Sequence, residues 1–322
     1  MSRPVVVVTR RLPDTVEREL QARFDARLNR EDRAFSESDL ADALMEADGL
    51  LCTVTDPVSS EVLGVRPLRA RILANFGVGY NHIDLKAAHQ RGLVVTNTPG
   101  VLTEATADLA MALLLMVARR LGEGEREVRA GAWNGWRPTH LMGADVSGRT
   151  LGIVGLGRIG QAVARRAHRG FGMRVVSYTP HPVDNATAAA SGITQLDALG
   201  SLLSQSDYVS LHCRATPETR HLINAAALDR MKCSAFLINT ARGDIVDEAA
   251  LIVALDAGRI AGAALDVYDR EPLVPAGLLH RQNVVLLPHL GSATESTRVA
   301  MGMRAVENLT AFFETGRPID IL

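Results

Sequence analysis

The stretch LGIVGLGRIG, residues 151–160, decides the fold. An apolar strand runs directly into the spacing Gly-x-Gly-x-x-Gly, and a helical pattern over residues 159–169 follows. In such a turn Gly155 permits a sharp bend, Gly157 lets the backbone approach a pyrophosphate, and Gly160 lets the helix pack on the strand. A glycine-rich turn without any ligand is the competing interpretation, but the correct strand and helix on both sides favour a dinucleotide-binding unit.

The same motif predicts further contacts to the bound nucleotide. Arg158 and Ile159 lie where this helix opens, and we expect them to contact the anion, to which the helix N-terminus presents unpaired N–H groups. About 20 residues on, an NAD site usually carries an acid that binds the ribose 2′-hydroxyl, but Thr179 stands there and the nearest acid is Asp184. The missing acid favours NADP(H), with NAD(H) as the alternative. No arginine follows, so His181 is the only candidate cation for a 2′-phosphate in this stretch.

Strand and helix patterns alternate along the whole chain. The predicted strands are rich in Val, Ile and Leu without polar alternation, which is typical of parallel strands covered on both faces. They fall at residues 5–9, 49–54, 72–76 and 93–96, and then at 151–154, 174–178, 208–212, 235–239, 263–267 and 284–287. A single helix is predicted over residues 104–121 and another over about 292–313. With 322 residues, these patterns predict two α/β domains, each a Rossmann-like doubly wound parallel sheet.

Composition excludes several functional classes. The formal net charge is −1, so no basic surface predicts nucleic-acid binding. The three cysteines are scattered and form no CxxC pair, which argues against a disulfide framework or a zinc site. No apolar segment has the length of a membrane span, and residues 1–14 have no signal-peptide core. We therefore expect a cytoplasmic protein with no membrane partner and no metal.

Three polar residues follow predicted strands at the edge where open α/β sheets bind ligands. They are Arg242, Glu271 and His289. Each has an ordinary alternative: Arg242 can cap a helix or pair with Asp244, Glu271 can be a turn carboxylate, and His289 can be a solvated loop residue. Singly, the ordinary interpretation is favoured for each.

Several motifs in order resemble the D-isomer-specific 2-hydroxyacid dehydrogenase family. They are NFGVGYNHID at 75–84, GLGRIG at 155–160, NTARGDIVDE at 239–248, ALDVYDREP at 264–272 and LPHLGSAT at 287–294. Within the family the chain looks most like glyoxylate/hydroxypyruvate reductases. The resemblance implies a substrate domain of residues 1–100 plus 291–322 and an inserted dinucleotide-binding domain of residues 101–290, with the active site in the cleft. It also implies a homodimer that uses the helix at 104–121.

The resemblance implies a catalytic role for each of the three polar residues. A protonated His289 would give its proton to the carbonyl oxygen of a 2-keto acid as hydride reaches the carbon. Glu271 would orient the imidazole and stabilise its charged form. Arg242 would hold the substrate carboxylate in a two-pronged contact.

Further residues are expected around the substrate and the nicotinamide. The backbone N–H groups of Gly77, Val78 and Gly79 would bind the substrate carboxylate. Asp266 would accept a hydrogen bond from the nicotinamide. The remaining cofactor contacts are expected at Cys213, Thr240, Ala241 and Gly291.

The substrate and the class of protein leave alternatives open. Leu51, Thr53 and Val54 are expected to line a small pocket, and Trp136 to reach a neighbouring subunit more readily than Trp133. Such a pocket suits glyoxylate or hydroxypyruvate, with D-lactate or phosphoglycerate dehydrogenation as alternatives. A formate-oxidising enzyme of the family would not need the acidic partner of His289. A nucleotide-sensing corepressor of the same fold, or a protein that only binds cofactor, would also be compatible with the motifs.

Overall fold

The computed structural model describes residues 3–180, 183, 184, 188 and 192–322. The chain divides into two compact units. Unit 1 comprises Met1–Leu102 together with Ser292–Leu322, and unit 2 comprises Thr103–Gly291. The second unit is therefore inserted into the first, and the last helix belongs to unit 1, a point that periodicity alone left undecided.

Unit 1 is built on a five-stranded parallel sheet in the order β2-β1-β3-β4-β5. Its strands are β1 Val5–Val8, β2 Asp25–Arg27, β3 Gly49–Thr53, β4 Ile72–Phe76 and β5 Val94–Thr96. Its helices are α1 Asp14–Arg23, α2 Glu37–Glu46, α3 Ser60–Leu63 and α4 Leu85–Gln90. The helix that closes the chain, Glu295–Thr315, is named α12 below.

Both faces of the unit 1 sheet are covered, which explains its unbroken apolar strands. On one face Leu50 and Leu73 pack with α2 and α3, and on the other Leu51 and Ile72 pack with α1 and α12. Leu51 is fully buried in this core, so the expectation that it lines a substrate pocket is wrong.

Unit 2 is built on a seven-stranded parallel sheet in the order β12-β11-β10-β9-β6-β7-β8. Its strands are β6 Thr150–Val154, β7 Arg174–Tyr178, β8 Ile193–Gln195, β9 Tyr208–Leu211, β10 Phe236–Asn239, β11 Gly262–Leu265 and β12 Val284–Leu286. Its described helices are α5 Thr103–Ala118, α6 Leu121–Arg129, α7 Arg158–Phe171, α8 Leu199–Gln205, α9 Ala225–Asp229, α10 Glu248–Asp256 and α11 Ala276–Leu279, with a 3-10 turn at Gly243–Ile245.

The strand order of unit 2 reverses beside β6. The chain passes from β6 to β7 and β8 on one side, and then returns to β9 on the other side. A crevice opens at such a switch point above the carboxyl ends of the strands, and ligands bind there in open α/β sheets. The two sheets confirm the predicted α/β class with two doubly wound parallel sheets.

Two sequence-based predictions of local structure are wrong. The three-residue strands β2 and β8 are absent from the predicted set, and both lie at the edge of their sheet. The helix predicted over residues 104–121 is two helices, because Arg120 adopts a left-handed conformation with φ of 54° between α5 and α6. Within the described residues, no helix combines the length and the apolar character needed to cross a membrane.

Candidate active site

The glycine-rich turn follows β6 and enters α7. Gly155 has φ of +93°, and a Cβ atom there would overlap the backbone of Cys213. A Cβ at Gly160 would overlap the carbonyl oxygen of Gly155, whereas one at Gly157 would have no protein atom within 4 Å. Two glycines are thus required by the packing of the protein itself, while the third faces open space.

The turn leaves the N-terminus of α7 accessible. Gly157 is the N-cap, and no side chain caps the helix. Arg158 is exposed at its first turn, and Ile159 is partly exposed. The unpaired N–H groups of a helix N-terminus attract anions, and the arginine adds a full positive charge at the same place.

Thr179 follows the last residue of β7, as the sequence indicated. Ser177, two residues earlier and within the strand, is fully buried, and its hydroxyl oxygen has no hydrogen-bond partner among the described residues. His181, the candidate cation for a 2′-phosphate, lies outside the described residues. The carboxylate expected of an NAD site is therefore missing at the end of β7.

The structure brings His289 and Glu271 into contact. His289 Nδ1 donates to Glu271 Oε2 over 2.7 Å, and both side chains are about one-third exposed. The other carboxylate oxygen of Glu271 accepts from the backbone N–H of Tyr268 over 3.1 Å. Since Nδ1 is engaged, Nε2 is the ring nitrogen that remains for a ligand.

Asp266 fixes the backbone on which His289 sits. Its two carboxylate oxygens accept from the N–H groups of Leu290, over 2.6 Å, and Gly291, over 2.8 Å. The backbone N–H of His289 donates to the carbonyl oxygen of Asp266 over 2.9 Å. His289 itself has φ of 56°, a left-handed conformation that is unfavourable for a non-glycine residue. Three hydrogen bonds thus hold a strained backbone in place.

The loop that carries Arg242 touches the loop that carries Glu271. A Cβ at Gly243 would overlap the backbone of Tyr268 and Asp269, so only glycine permits this close approach. Asn239 shapes the turn before it, because its side chain donates to the Arg242 carbonyl oxygen over 2.8 Å and accepts from the Ala241 N–H over 3.0 Å.

The electrostatics of the site reflect this proximity. Burial opposes ionisation of Glu271, but the hydrogen bond and charge of His289 outweigh it, so the pKa of Glu271 is lowered. Burial lowers the pKa of the Arg242 guanidinium, against the opposing effect of Glu271 and Asp244. Burial raises the pKa of Asp266 despite its two backbone donors. Opposite charges on Arg242 and Glu271 therefore act on each other in a partly desolvated place.

Other predicted cofactor residues lie along the same edge of the unit 2 sheet. The hydroxyl of Thr240, directly after β10, is buried and has no hydrogen-bond partner among the described residues. Cys213, after β9, is mostly buried, and burial raises the pKa of its thiol to about 11. Such a thiol is neutral at physiological pH, so Cys213 contributes packing rather than charge.

The predicted substrate loop lies in unit 1, after β4. The carbonyl oxygens of Gly77, Val78 and Gly79 are all held by side-chain amides: Asn75 donates to Gly77 and Gly79, over 3.1 and 3.0 Å, and Asn97 donates to Val78 over 2.9 Å. The N–H of Gly77 donates to the Asn75 carbonyl oxygen.

The N–H groups of Val78 and Gly79 differ from that of Gly77. Neither has a partner within the described part of the chain. Two adjacent N–H groups without internal partners suit an anion. Asn75 opens the motif quoted at residues 75–84, but the sequence does not show that its side chain and that of Asn97 hold the carbonyl oxygens of this loop.

The unit 2 site fits a dinucleotide. A pyrophosphate needs an open backbone approach at the middle glycine of the turn, and Gly157 provides it. A nicotinamide needs polar groups near the ends of the strands beyond the switch point, and the unpartnered Thr240 hydroxyl lies there. The end of β7 carries no carboxylate that would repel a phosphorylated ribose.

Comparison with known proteins agrees with this geometry. Residues 111–291 match the model of the D-isomer specific 2-hydroxyacid dehydrogenase NAD binding domain. The glyoxylate reductase of Korarchaeum cryptofilum is 46% identical over 312 residues, covering 96% of this chain and 93% of that protein. The glyoxylate reductase of Thermococcus litoralis is 45% identical, covering 96% of this chain and 94% of that protein.

Among solved structures, one similar protein is the NADPH-dependent glyoxylate/hydroxypyruvate reductase of Sinorhizobium meliloti, in complex with NADP and malonate. It is 37% identical with a TM-score of 0.89, and the match covers 100% of this chain and 97% of that one. These relatives agree with the paired imidazole and carboxylate and with the dinucleotide-binding turn. The chain therefore belongs to the D-isomer-specific 2-hydroxyacid dehydrogenases and is an NAD(P)-dependent oxidoreductase of that family.

Proposed function

We propose that this protein reduces glyoxylate or hydroxypyruvate to the corresponding 2-hydroxy acid, with NADPH as the favoured hydride donor and hydroxypyruvate giving the D-isomer. The observation that carries the proposal is the 2.7 Å hydrogen bond between His289 and Glu271 beside the Arg242 loop. An acid–base pair next to a guanidinium is what reduction of a 2-keto acid requires, since the product gains a proton on oxygen and the substrate carries a carboxylate.

Each of these residues has a chemical task. The reduced nicotinamide, when bound, supplies the hydride for the carbonyl carbon. His289 gives the proton on Nε2 to the carbonyl oxygen as negative charge develops there. Glu271 accepts from Nδ1 throughout, which fixes the ring and stabilises its cationic form before proton transfer. Arg242 binds the substrate carboxylate and polarises the carbonyl group.

We also propose that a loop of unit 1 binds a carboxylate of the substrate. The N–H groups of Val78 and Gly79 are its donors, and Gly77 shapes the loop rather than donating. Val54 borders the loop, because its Cγ1 lies 3.3 Å from the position of a Cβ at Gly77. Thr53 is partly engaged with the buried Asp56, to which its hydroxyl donates over 3.1 Å.

We assign the cofactor to unit 2. The turn of Gly155, Gly157 and Gly160, with Arg158 and Ile159, holds the pyrophosphate, and Thr179 lies at the adenosine ribose. The nicotinamide end is lined by residues that follow the strands on the other side of the switch point, together with the loop after β12. These are Cys213, Thr240, Ala241, Asp266 and Gly291.

The preference for NADPH rests on the end of β7. A carboxylate there would repel a 2′-phosphate, and Thr179 leaves that position without one. The similar reductase of Sinorhizobium meliloti is NADPH-dependent. Replacing Thr179 with Asp should shift the ratio of kcat/KM values toward NADH, whereas an unchanged ratio would mean that another residue selects the ribose.

The decisive test follows oxidation of NADPH and NADH side by side, at 340 nm, with glyoxylate, hydroxypyruvate, pyruvate or no keto acid. We expect turnover with the first two, and a loss of roughly 10²- to 10⁴-fold in kcat for His289→Asn. His280→Asn, at an exposed position after α11, is the matched control and should retain activity. Tight nucleotide binding without turnover on any 2-keto acid would instead favour a nucleotide sensor.

We also propose a homodimer. α6 and the segment after it expose an apolar surface made of Leu121, Val128, Trp133, Trp136 and Met142, each at least half exposed. So many exposed large apolar side chains within one segment of about 20 residues favour a protein–protein contact. Light scattering should give twice the mass of one chain, and a monomeric mass would contradict the proposal. The free, scattered cysteines fit a reducing compartment such as the cytoplasm, which we retain as part of the proposal.

A further inference from the structure

Arg214 stands at the crevice of unit 2, in the loop after β9. Leu211 at the end of β9 is aligned with Val154 of β6, and Val154 is aligned with Tyr178 of β7. The three chain segments therefore leave the sheet at the same level, in neighbouring positions about 5 Å apart. Arg214 follows Leu211 by three residues, so it begins on the wall of the crevice across β6 from Thr179.

The loop of Arg214 lies directly against the phosphate turn. The backbone of Cys213 is so close to Gly155 that no side chain fits between them. The backbone of Arg214 is anchored as well, because its carbonyl oxygen accepts from the Thr219 hydroxyl over 2.7 Å. The same hydroxyl accepts from the Thr216 N–H over 2.8 Å, which closes the turn. The position of Arg214 relative to the phosphate turn is thus fixed by the fold.

The guanidinium of Arg214 differs from several arginine side chains of unit 2 that pair with carboxylates. Arg149, Arg166 and Arg281 pair with carboxylates at 2.8, 2.6 and 2.5 Å. Arg214 is exposed and forms no ion pair with a carboxylate of the described residues. A permanently charged group without an acidic partner, next to an anion-binding turn, attracts a further anion to the crevice.

We propose that Arg214 binds the 2′-phosphate of NADP(H) and thereby selects it over NAD(H). The inference deepens the proposed function and rests on it. A guanidinium donates two parallel N–H bonds to two phosphate oxygens, which a 2′-hydroxyl cannot match. The phosphate belongs to the ribose at the end of β7, where no carboxylate repels it. The arginine that the sequence lacks after β7 is thus supplied by the loop after β9.

The test measures binding to the protein without substrate, by calorimetry, with 2′,5′-ADP and 5′-AMP as probes. These two ligands differ only in the 2′-phosphate. For Arg214→Gln we expect the Kd of 2′,5′-ADP to rise roughly 10- to 100-fold and that of 5′-AMP to change less than about threefold. Arg214→Lys should recover part of the affinity, since it restores the charge but not the paired donors. Arg259→Gln, which removes a mostly exposed arginine before β11 at the opposite edge of the sheet, should change neither Kd.

Other outcomes would overturn the assignment. Equal losses for both probes would place the guanidinium on the adenine ring or the pyrophosphate instead. An unchanged Kd for 2′,5′-ADP would remove Arg214 from the site. Turnover of keto acids by the wild-type protein is measured separately, so a reductase that ignores the 2′-phosphate refutes this inference alone, whereas a protein that binds nucleotide without any turnover refutes the proposed function.

Discussion

The carboxylate of Asp266 holds the backbone on which His289 is displayed. It accepts from the two N–H groups that follow the histidine, and its own carbonyl oxygen accepts from the N–H of His289. Asp266 was expected to contact the nicotinamide, and its oxygens retain lone pairs for that purpose. Its contacts within the protein give it a second task, which is to keep a strained residue of the acid–base pair in position.

Replacing Asp266 with Asn should reduce kcat roughly 10- to 100-fold, because the amide cannot accept both N–H bonds and His289 is displaced from its partner. The Kd of NADPH should change less than threefold if Asp266 acts mainly through this loop. Both constants are obtained from steady-state kinetics and from fluorescence titration. A Kd that rises as much as kcat falls would show that contact with the nicotinamide dominates. Asp256→Asn, which loses an exposed pair with Arg281, is the control.

Gly157 and Gly160 offer a matched pair of alanine variants. Gly157→Ala should lower the free energy of unfolding by no more than about 1 kcal/mol, because the added methyl group meets no protein atom and only the N-cap position disfavours alanine, while NADPH binding weakens at least tenfold. Gly160→Ala should lose about 1–3 kcal/mol of unfolding free energy, since its methyl group overlaps the Gly155 carbonyl. Urea denaturation and NADPH titration measure the two effects. Normal nucleotide affinity in Gly157→Ala would refute the assignment of this turn.

His212, at the end of β9, should make the protein sensitive to acid. Loss of solvation lowers the pKa of its imidazole to about 4, and Ser210 lies 2.9 Å from its Nε2. The His212 imidazole takes up a proton near pH 6.5 in the unfolded chain but only near pH 4 in the folded chain. Its contribution to the free energy of unfolding is therefore fully present above pH 6.5 and is lost as the pH falls toward 4. The free energy of unfolding lost over this pH range through His212 is on the order of 3 kcal/mol.

The variant His212→Gln tests this expectation. Its unfolding free energy should decline less than that of wild type between pH 6.5 and 4.5, as measured by urea denaturation at each pH. His280→Gln, at an exposed position, should follow the wild-type curve. Parallel curves for His212→Gln and wild type would assign the acid sensitivity to other groups.

Asn97 should govern substrate affinity through the Val78 carbonyl oxygen. Asn97→Asp removes the donor and places a carboxylate beside that oxygen, so the loop should turn its N–H groups away from the substrate. We expect the KM for the keto acid to rise about tenfold, which is the loss of one hydrogen bond of about 1.4 kcal/mol, with kcat within threefold. Asn29→Ala, elsewhere in unit 1, is the control. A loss confined to kcat would contradict a role in carboxylate binding.

The sequence was most informative where a local pattern sufficed. The ten predicted strands contain apolar runs that are visible in the sequence, whereas β2 and β8 are edge strands of three residues that are mostly polar. The break between α5 and α6 depends on the left-handed conformation of Arg120. Neither a glycine nor a proline stands at this position to indicate the break. Local propensity cannot predict such a conformation for an arginine.

The candidate site, like the fold, was predictable from the sequence only in part. The order of the family motifs along the chain identified His289, Glu271 and Arg242. In the structure the first two of these side chains are in contact. Arg214 is distant along the chain from the end of β7 and comes near it only because β9 is aligned beside β6, so the stretch after β7 gives no sign of it. Asn75 and Asn97 act on carbonyl oxygens of a loop, a contact that leaves no pattern in the sequence.

The insertion of unit 2 into unit 1 sets an order of events during synthesis. The sheet of unit 1 is translated early, but α12, which covers β4 and packs Gly302 against Val16, emerges only after residue 291. Until the inserted unit has been synthesised, the N-terminal sheet has one apolar face that is covered only in part, by α1. Slow translation of residues 292–322 would prolong this exposed state, and chaperone dependence should be concentrated in that interval.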